Sequence, residues 1–259
     1  MNKKANDLGL HSTHFTSPHG LDNEMHYTTA YELALITNYA LNNSIFRNYV
    51  STKSINITIN NYSKVLKNTN ELLGYLDGVY GVKTGFTNGA NRCLVTAIKR
   101  NNIDIICIVL GADTKKDRTQ DSIKLIEYAF KYFSPINIKE KIENEFQNWI
   151  LCNQNSFIVS KGTSNTLSPY LESLNYDYLP LNSNQISSLN IYIYCNYNYE
   201  APLYKDSTIG QLYVELDDKN IIILDIKNNN SVFKKNITDF YTTILKKYSY
   251  TLESIFYNN

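Results

Sequence analysis

The sequence is poor in cysteine, has almost no net charge and contains no long apolar run. Its four cysteines never form a C-x-x-C pair, which argues against a zinc knuckle or a thioredoxin-like redox site. Lys and Arg total 25 against 24 for Asp and Glu, and no basic stripe with interleaved aromatics occurs, so we expect no nucleic-acid partner. We expect mostly buried free thiols at the four positions, Cys93, Cys107, Cys152 and Cys195.

No part of the sequence reads as a membrane span or an export signal. A spanning helix needs about 20 apolar residues in a row, and no stretch approaches that length. The opening residues, MNKKANDLGLHSTHF, carry lysines without a hydrophobic core after them. With 43% apolar and 19% charged residues among 259, the composition is typical of a globular protein with one large domain or two ordinary ones.

The first half of the chain alternates helical and strand patterns. Residues 27–41 have the apolar spacing of a helix. Residues 54–73 predict a short strand and an irregular polar segment. Two apolar runs within 93–112, joined by KRNN, predict a hairpin that is buried on at least one side. Residues 117–133 place apolar side chains at helical spacing after an acidic start, which predicts an amphipathic helix.

The second half loses the helical period. Short alternating runs separated by turn clusters fill residues 136–238 and predict a small all-β domain, a sandwich or barrel. Residues 239–259 return to helical spacing, with an aromatic stripe beside Lys246 and Lys247. This tail predicts a helix that either lies on a membrane surface or packs on the protein's own β domain.

One stretch carries recognisable chemistry, DGVYGVKTGFTNGANRCLV at residues 77–95. It places Lys83, Thr84 and Gly85 where a turn runs into a strand. Out of context, such a triplet is more often a solvated lysine, a strand former and a turn glycine than a functional site. Its neighbours along the chain decide between these interpretations.

The order of features resembles a known family. The stretch LGLHSTHFTSPHGLDNEMHYTTAYELALI, followed by KTGFTNGANRCLV and LGADTKKDRTQD, resembles the second half of the penicillin-binding domain of D-alanyl-D-alanine carboxypeptidases. The resemblance implies an α+β fold, an antiparallel sheet with helices, over residues 1–135. It also implies that residues 136–238 form that family's β-rich C-terminal domain and residues 239–259 its membrane-associating amphipathic helix.

The resemblance assigns roles to five residues. Lys83 would supply a fixed positive charge and Thr84 a hydroxyl donor toward the carboxylate of the substrate. Gly85 would leave the strand bare for substrate, and the main-chain N–H of Phe86 would be an oxyanion donor. Arg118 would bind the D-alanine carboxylate, since a guanidinium can donate two hydrogen bonds to it; the alternative is a surface charge.

The histidines suggest no metal site. His11 and His14 could pair on a metal, but no third ligand is evident, and turn histidines are common. His19, in SPHGLD, resembles a family loop near the cleft, and we expect it to support structure rather than act as an acid or base. We expect neither a cofactor nor a metal.

Two motifs of the family are out of place. Its catalysis uses a Ser-x-x-Lys, whose serine attacks the peptide, and then a Ser-x-Asn, both before the Lys-Thr-Gly triplet. Here Ser-x-x-Lys occurs only at Ser231–Lys234, after the triplet, and Ser-x-Asn only as chance matches at 54–56, 173–175 and 188–190. We therefore expect the first half of the catalytic domain, and any signal peptide, to lie outside these 259 residues.

Two functional hypotheses remain open at this point. In the first, the chain is part of a serine carboxypeptidase acting on peptidoglycan stem peptides and binding β-lactams, in a family that is extracytoplasmic and membrane-associated. In the second, it is a catalytically inactive remnant or a binding module at the cell wall or membrane. An in-frame Ser-x-x-Lys upstream of Met1 would favour the first; without an export signal, the given chain is not expected to be exported.

Overall fold

The structure, a computed structural model, describes residues 1–242, 244–245 and 248. The chain divides into two compact units, Met1–Pro135 and a second unit that begins at Ile136. Each unit has its own hydrophobic core.

The first unit combines helices with two antiparallel sheets. Its helices are α1 (Asn2–Asp7), α2 (Ala30–Leu41), α3 (Ser44–Ser51) and α4 (Lys115–Tyr132). Its strands are β1 (Ser54–Ile59), β2 (Tyr62–Lys67), β3 (Val79–Thr87), β4 (Asn91–Arg100) and β5 (Ile103–Ala112). Strands β1 and β2 form a separate hairpin, and the other three form a sheet in the order β3-β4-β5. Strand β3, which carries the Lys-Thr-Gly triplet, is therefore an edge strand.

The three-stranded sheet is covered by helices on both faces. Leu94 and Ile98 of β4 pack with Ile126 of α4 on one face. Val95 and Ala97 of the same strand pack with apolar side chains of α2 and α3. Because alternate residues of a strand point to opposite faces, a strand buried on both sides is largely apolar. This explains the continuous run CLVTAI, and each fully buried leucine or isoleucine contributes about 1.5–3 kcal/mol.

The predicted hairpin at 93–112 is confirmed. Strands β4 and β5 pair in antiparallel register, and both turn residues have positive φ, 47° at Asn101 and 65° at Asn102. Two-residue turns of this kind match the right-handed strand twist, and asparagine tolerates the left-handed region better than most residues. Asn60 and Asn61 make the same turn between β1 and β2, so residues 54–67 form a hairpin where a single short strand was expected.

The two helices predicted in this unit are also confirmed. Helix α2 begins after Thr29, whose hydroxyl accepts a hydrogen bond from the N–H of Glu32. Helix α4 begins after Thr114, whose hydroxyl accepts from the N–H of Asp117. Each cap satisfies one N–H that would otherwise lack a partner at the helix start.

The second unit is rich in strands. Its helices are α5 (Ile138–Asn153) and α6 (Ser183–Ser188). Its strands are β6 (Ser134–Asn137), which crosses the division, β7 (Ile158–Ser160), β8 (Pro169–Leu171), β9 (Tyr178–Leu181), β10 (Asn190–Cys195), β11 (Asn198–Glu200), β12 (Thr208–Leu216) and β13 (Lys219–Asn228). Four of them form a sheet in the order β10-β12-β13-β8, while β11 pairs with β7 and β6 with β9.

The expectation of an all-β domain over 136–238 is wrong at its start. Residues 138–153 form the 16-residue helix α5, capped by the side chain of Asn137. Ile138, Ile142 and Phe146 are spaced by four residues and are buried in one cluster with residues of β12 and β13. This i, i+4 spacing is typical of a helix that covers a sheet. In the sequence the pattern is obscured by the charged residues that separate the three apolar ones.

Most of the predicted helix 239–259, including Lys246 and Lys247, lies outside the described residues. In the described part of the chain, no helix combines the length and the apolar character that crossing a bilayer requires. All four cysteines are free, but the expectation that most of them are buried is wrong: Cys107 is buried, Cys93 and Cys195 are half-buried and Cys152 is exposed. Burial raises the pKa of the Cys107 thiol to about 11.

Candidate active site

The Lys-Thr-Gly triplet lies in the middle of edge strand β3. Lys83 is exposed, and its ammonium donates a 2.6 Å hydrogen bond to the carbonyl oxygen of Thr84. The hydroxyls of Thr84 and Thr69 share a 2.6 Å hydrogen bond. An edge strand leaves every second backbone N–H and C=O without a strand partner, so β3 can pair with an extended peptide.

Gly85 leaves this strand open without serving the packing of the sheet. Its partner in the ladder is Cys93, and a Cβ added at Gly85 would meet the Cys93 Cβ at 3.6 Å, an ordinary contact. The fold would therefore accept alanine here. The absence of a side chain matters only on the open side of the strand.

The segment just before β3 holds the strand in place. Asn70 is buried, and its side-chain amide donates to the carbonyl oxygen of Gly81 at 2.7 Å while its side-chain oxygen accepts from the N–H of Leu72. Thr69, next to it, is the residue that holds the Thr84 hydroxyl. Sequence reasoning missed both residues; the polar run NTNE, standing just before a buried leucine, was the available signal.

Arg118 lies in the interior, 3% exposed, in the first turn of α4. Its Nη2 donates to Glu71 Oε2 at 3.1 Å, and its buried Nε has no partner among the described residues. Glu71 also pairs with Lys115 and accepts from the hydroxyl of Thr119 at 2.8 Å. Burial, and then the nearby charge of Arg92, lower the pKa of the Arg118 guanidinium. In this geometry the guanidinium of Arg118 forms an ion pair with Glu71 inside the first unit.

Phe86 and Arg92 are ladder partners at the end of the β3–β4 hairpin. Phe86 is 56% exposed, and the guanidinium carbon of Arg92 lies 4.3 Å from the centroid of its ring. This is the distance of a cation–π contact. The sequence assigned a role to the main chain of Phe86 and none to Arg92.

A loop from an earlier part of the chain binds the β3–β4 turn. The carboxylate of Asp22 accepts a 3.1 Å hydrogen bond from the N–H of Gly89, 67 residues away. Hydrogen bonds from the Thr87 side chain and this N–H lower the pKa of Asp22. In the same loop, His19 Nδ1 accepts from the N–H of Leu21 and contacts Ser17, which is a structural role.

His14 contacts a neighbouring segment of the first unit. His14 Nδ1 donates to the carbonyl oxygen of Met25 at 2.6 Å. The part of the chain that the structure describes contains no group of three or more His, Cys, Asp or Glu side chains that could hold a metal ion.

The Ser-x-x-Lys at 231–234 lies in the second unit. The hydroxyl of Ser231 accepts a 2.9 Å hydrogen bond from the N–H of Lys205. Val232, between the two motif residues, is buried and pairs with Leu203. The serine thus takes part in a local backbone contact.

Comparison with known proteins places these features in a family. The sequence model described as D-alanyl-D-alanine carboxypeptidase, peptidase S11, matches residues 1–114. The D-alanyl-D-alanine carboxypeptidase DacF of Bacillus subtilis is 38% identical over 134 residues, 51% of this chain and 34% of that protein. DacA of Escherichia coli is 30% identical over 223 residues, 85% of this chain and 52% of that protein.

The fold agrees with the sequence comparison. The crystal structure of penicillin-binding protein 5 from Haemophilus influenzae superposes with a TM-score of 0.64 and 26% identity, covering 90% of this chain and 64% of that one. The chain spans between about a third and a half of the length of the two curated relatives.

Proposed function

The chain belongs to the D-alanyl-D-alanine carboxypeptidase family, which acts on peptidoglycan stem peptides and binds penicillins, and on that premise we propose that its strand β3 is one wall of such a site. The observation that carries the proposal is the position of Lys83, Thr84 and Gly85 on an edge strand, with an exposed ammonium and no side chain at Gly85. The substrate would add to this edge in extended form.

In the proposed reaction a serine attacks the carbonyl carbon of the penultimate D-alanine. The amide C–N bond breaks, the terminal D-alanine leaves with a proton, and water then hydrolyses the acyl-enzyme ester. Lys83 would stabilise negative charge near the reacting groups, and the N–H of Phe86 would donate to the oxyanion.

The terminal carboxylate of the peptide is the group that this wall would hold. Thr84 would donate its hydroxyl to the carboxylate after releasing Thr69. Arg118 would add positive charge from the first turn of α4, where its low exposure limits screening by water.

The nucleophile is the missing part within these 259 residues. The sequence offers Ser-x-x-Lys only at Ser231, whose hydroxyl makes a local contact in the second unit. The second candidate function, a module that binds peptide without hydrolysing it, is favoured by this observation for the 259 residues on their own.

We expect the 259-residue chain to form no covalent adduct with a fluorescent β-lactam, because no suitably placed serine is available to be acylated. An extended chain, in which a family segment carrying Ser-x-x-Lys and Ser-x-Asn precedes residue 1, is expected to form a one-to-one adduct and to release D-alanine from diacetyl-L-Lys-D-Ala-D-Ala. Gel fluorescence and D-alanine release measure the two activities.

The expected results for the 259-residue chain and for the extended chain can be contradicted independently. A stable stoichiometric adduct on the 259-residue chain would contradict the inference that it lacks the nucleophile. An extended chain that folds, as judged by circular dichroism, but neither forms the adduct nor releases D-alanine would contradict the proposed function.

A further inference from the structure

The β1–β2 hairpin of the first unit is almost uncovered. It pairs with no other strand in the part of the chain that the structure describes. In its two six-residue strands only Ile57 is half-buried, and the other residues are exposed. A two-stranded hairpin on its own is marginally stable in water, because it has no buried face. A surface that covers one face of this hairpin would therefore stabilise it.

The strand register collects large apolar side chains on one face of the hairpin, called here the apolar face. Directly opposite residues share a face, and so do alternate residues of one strand. The apolar face consists of the pairs Ile55–Leu66, Ile57–Lys64 and Ile59–Tyr62. At the turn end, Ile59 is 62% exposed and Tyr62 82%. Large apolar side chains that remain next to each other in water indicate a binding surface.

The opposite face of the hairpin has a different character. Apart from Val65 its side chains are polar or charged, and they are Ser54, Asn56, Thr58, Ser63 and Lys67. The hairpin is therefore amphipathic, although neither face is buried in the protein. This asymmetry shows that the apolar face is the one suited to leave water.

The charge of the hairpin has a single sign. Residues 53–67 contain three lysines, Lys53, Lys64 and Lys67, and no aspartate or glutamate. None of these lysines forms an ion pair with another described residue. The whole chain has a net charge of only +1, so this excess of positive charge is local. It complements an anionic surface.

We propose that the β1–β2 hairpin binds the surface of an anionic lipid bilayer. The apolar face enters the headgroup region, and the lysines contact lipid phosphates; apolar burial and attraction to anionic lipid together determine the strength of such binding. A soluble polyanion would use the lysines but leave the apolar face in water. Both strands have an outer edge whose N–H and C=O groups need water, so the hairpin lies at the interface and does not enter the hydrocarbon core.

The test is an NMR titration of the isotope-labelled 259-residue chain with phosphatidylcholine bicelles that contain a spin-labelled lipid, with or without phosphatidylglycerol. The spin label attenuates the signals of nearby N–H groups, so membrane binding by another part of the chain is read separately. We expect strong attenuation at residues 55–66 with phosphatidylglycerol and little without it. The β4–β5 turn, also formed by two asparagines, Asn101 and Asn102, is the internal reference and should keep its signals.

A matched pair of double variants tests the apolar face. Ile59→Asn/Tyr62→Asn removes its two most exposed side chains and is expected to abolish the attenuation at residues 55–66. Ile45→Asn/Tyr49→Asn makes the same change at an exposed isoleucine and an exposed tyrosine of α3, and it should retain the attenuation. The chemical shifts of the β3–β4–β5 sheet check that each variant is folded.

A further double variant tests the charge and leaves the apolar side chains in place. Lys64→Gln/Lys67→Gln is expected to raise the lipid concentration at half-maximal attenuation about 10-fold, because each lysine near an anionic surface adds to the binding free energy. An unchanged concentration, or equal attenuation with and without phosphatidylglycerol, would refute the anionic surface.

Other results would assign the apolar face to a different occupant. Shifts at residues 55–66 that depend on protein concentration without lipid would identify a second copy of the chain. Attenuation that disappears in the extended chain would identify the upstream segment. No attenuation at residues 55–66 in the 259-residue chain would also refute the proposal. All these outcomes leave the proposed function untouched, because it is tested with peptide and β-lactam.

Discussion

Replacing Lys83 with alanine in the extended chain is expected to slow acylation by a β-lactam about 100-fold, roughly 2.7 kcal/mol of transition-state stabilisation. The ammonium is exposed on the edge strand, and its hydrogen-bond partner among the described residues is the carbonyl oxygen of Thr84 in the same strand, so it can turn toward a ligand. Its loss removes a fixed positive charge from a site where negative charge develops. The acylation rate is measured by stopping the labelling reaction at timed intervals.

The matched control is Lys99→Ala. Lys99 is an exposed lysine on β4, in the same sheet, so it controls for the loss of one positive charge. It should leave the acylation rate within about twofold. Equal rates for Lys83→Ala and the parent chain would remove the triplet from the chemistry, whatever the control shows.

Replacing Glu71 with alanine is expected to lower the free energy of unfolding of the first unit by about 3 kcal/mol. The change leaves the buried Arg118 side chain without its acidic partner. An unpaired buried charge is costly because it has lost its hydration without gaining a counter-charge. Glu71 itself is 35% exposed, which is why we expect a loss at the low end for a buried pair.

The chain contains its own reference for this measurement. The single tryptophan, Trp149, is in α5 of the second unit, so its fluorescence follows that unit during urea unfolding. Only the transition that reports the first unit, followed by circular dichroism, should move in Glu71→Ala. Glu127→Ala removes the partner of the less buried Arg100, and it should cost less than about 1 kcal/mol.

The double variant Glu71→Ala/Arg118→Met separates charge from packing. Because the methionine removes the unpaired charge, it should recover most of the stability that Glu71→Ala loses. If Glu71→Ala is as stable as the parent chain, water or another group must satisfy Arg118, and its charge would then be too well screened to act on a substrate.

Local patterns predicted most of the first unit. The paired asparagines of KRNN favour a turn with two positive φ angles, and the apolar runs beside them predict strands buried on at least one side. Helix α4 follows from its cap and its apolar spacing. These elements were predictable because each is determined by neighbours in sequence.

What was missed depends on contacts between distant residues or on competing patterns. The ion pair of buried Arg118 is with Glu71, 47 residues earlier, and the contact of Arg92 with the ring of Phe86 follows from the register of β3 and β4. No local pattern carries either fact. Helix α5 was missed because its three buried residues are separated by charged ones, in a region otherwise dominated by strands.

The direct test of the β3 wall is an NMR map of the isotope-labelled 259-residue chain during titration with diacetyl-L-Lys-D-Ala-D-Ala. Saturable shifts are expected at the backbone N–H groups of residues 83–87, with smaller ones at residues 91–93, and none with the L-Ala-L-Ala isomer. Shifts confined to other parts of the chain, or equal shifts with both isomers, would contradict the assignment of β3 as the substrate-binding wall.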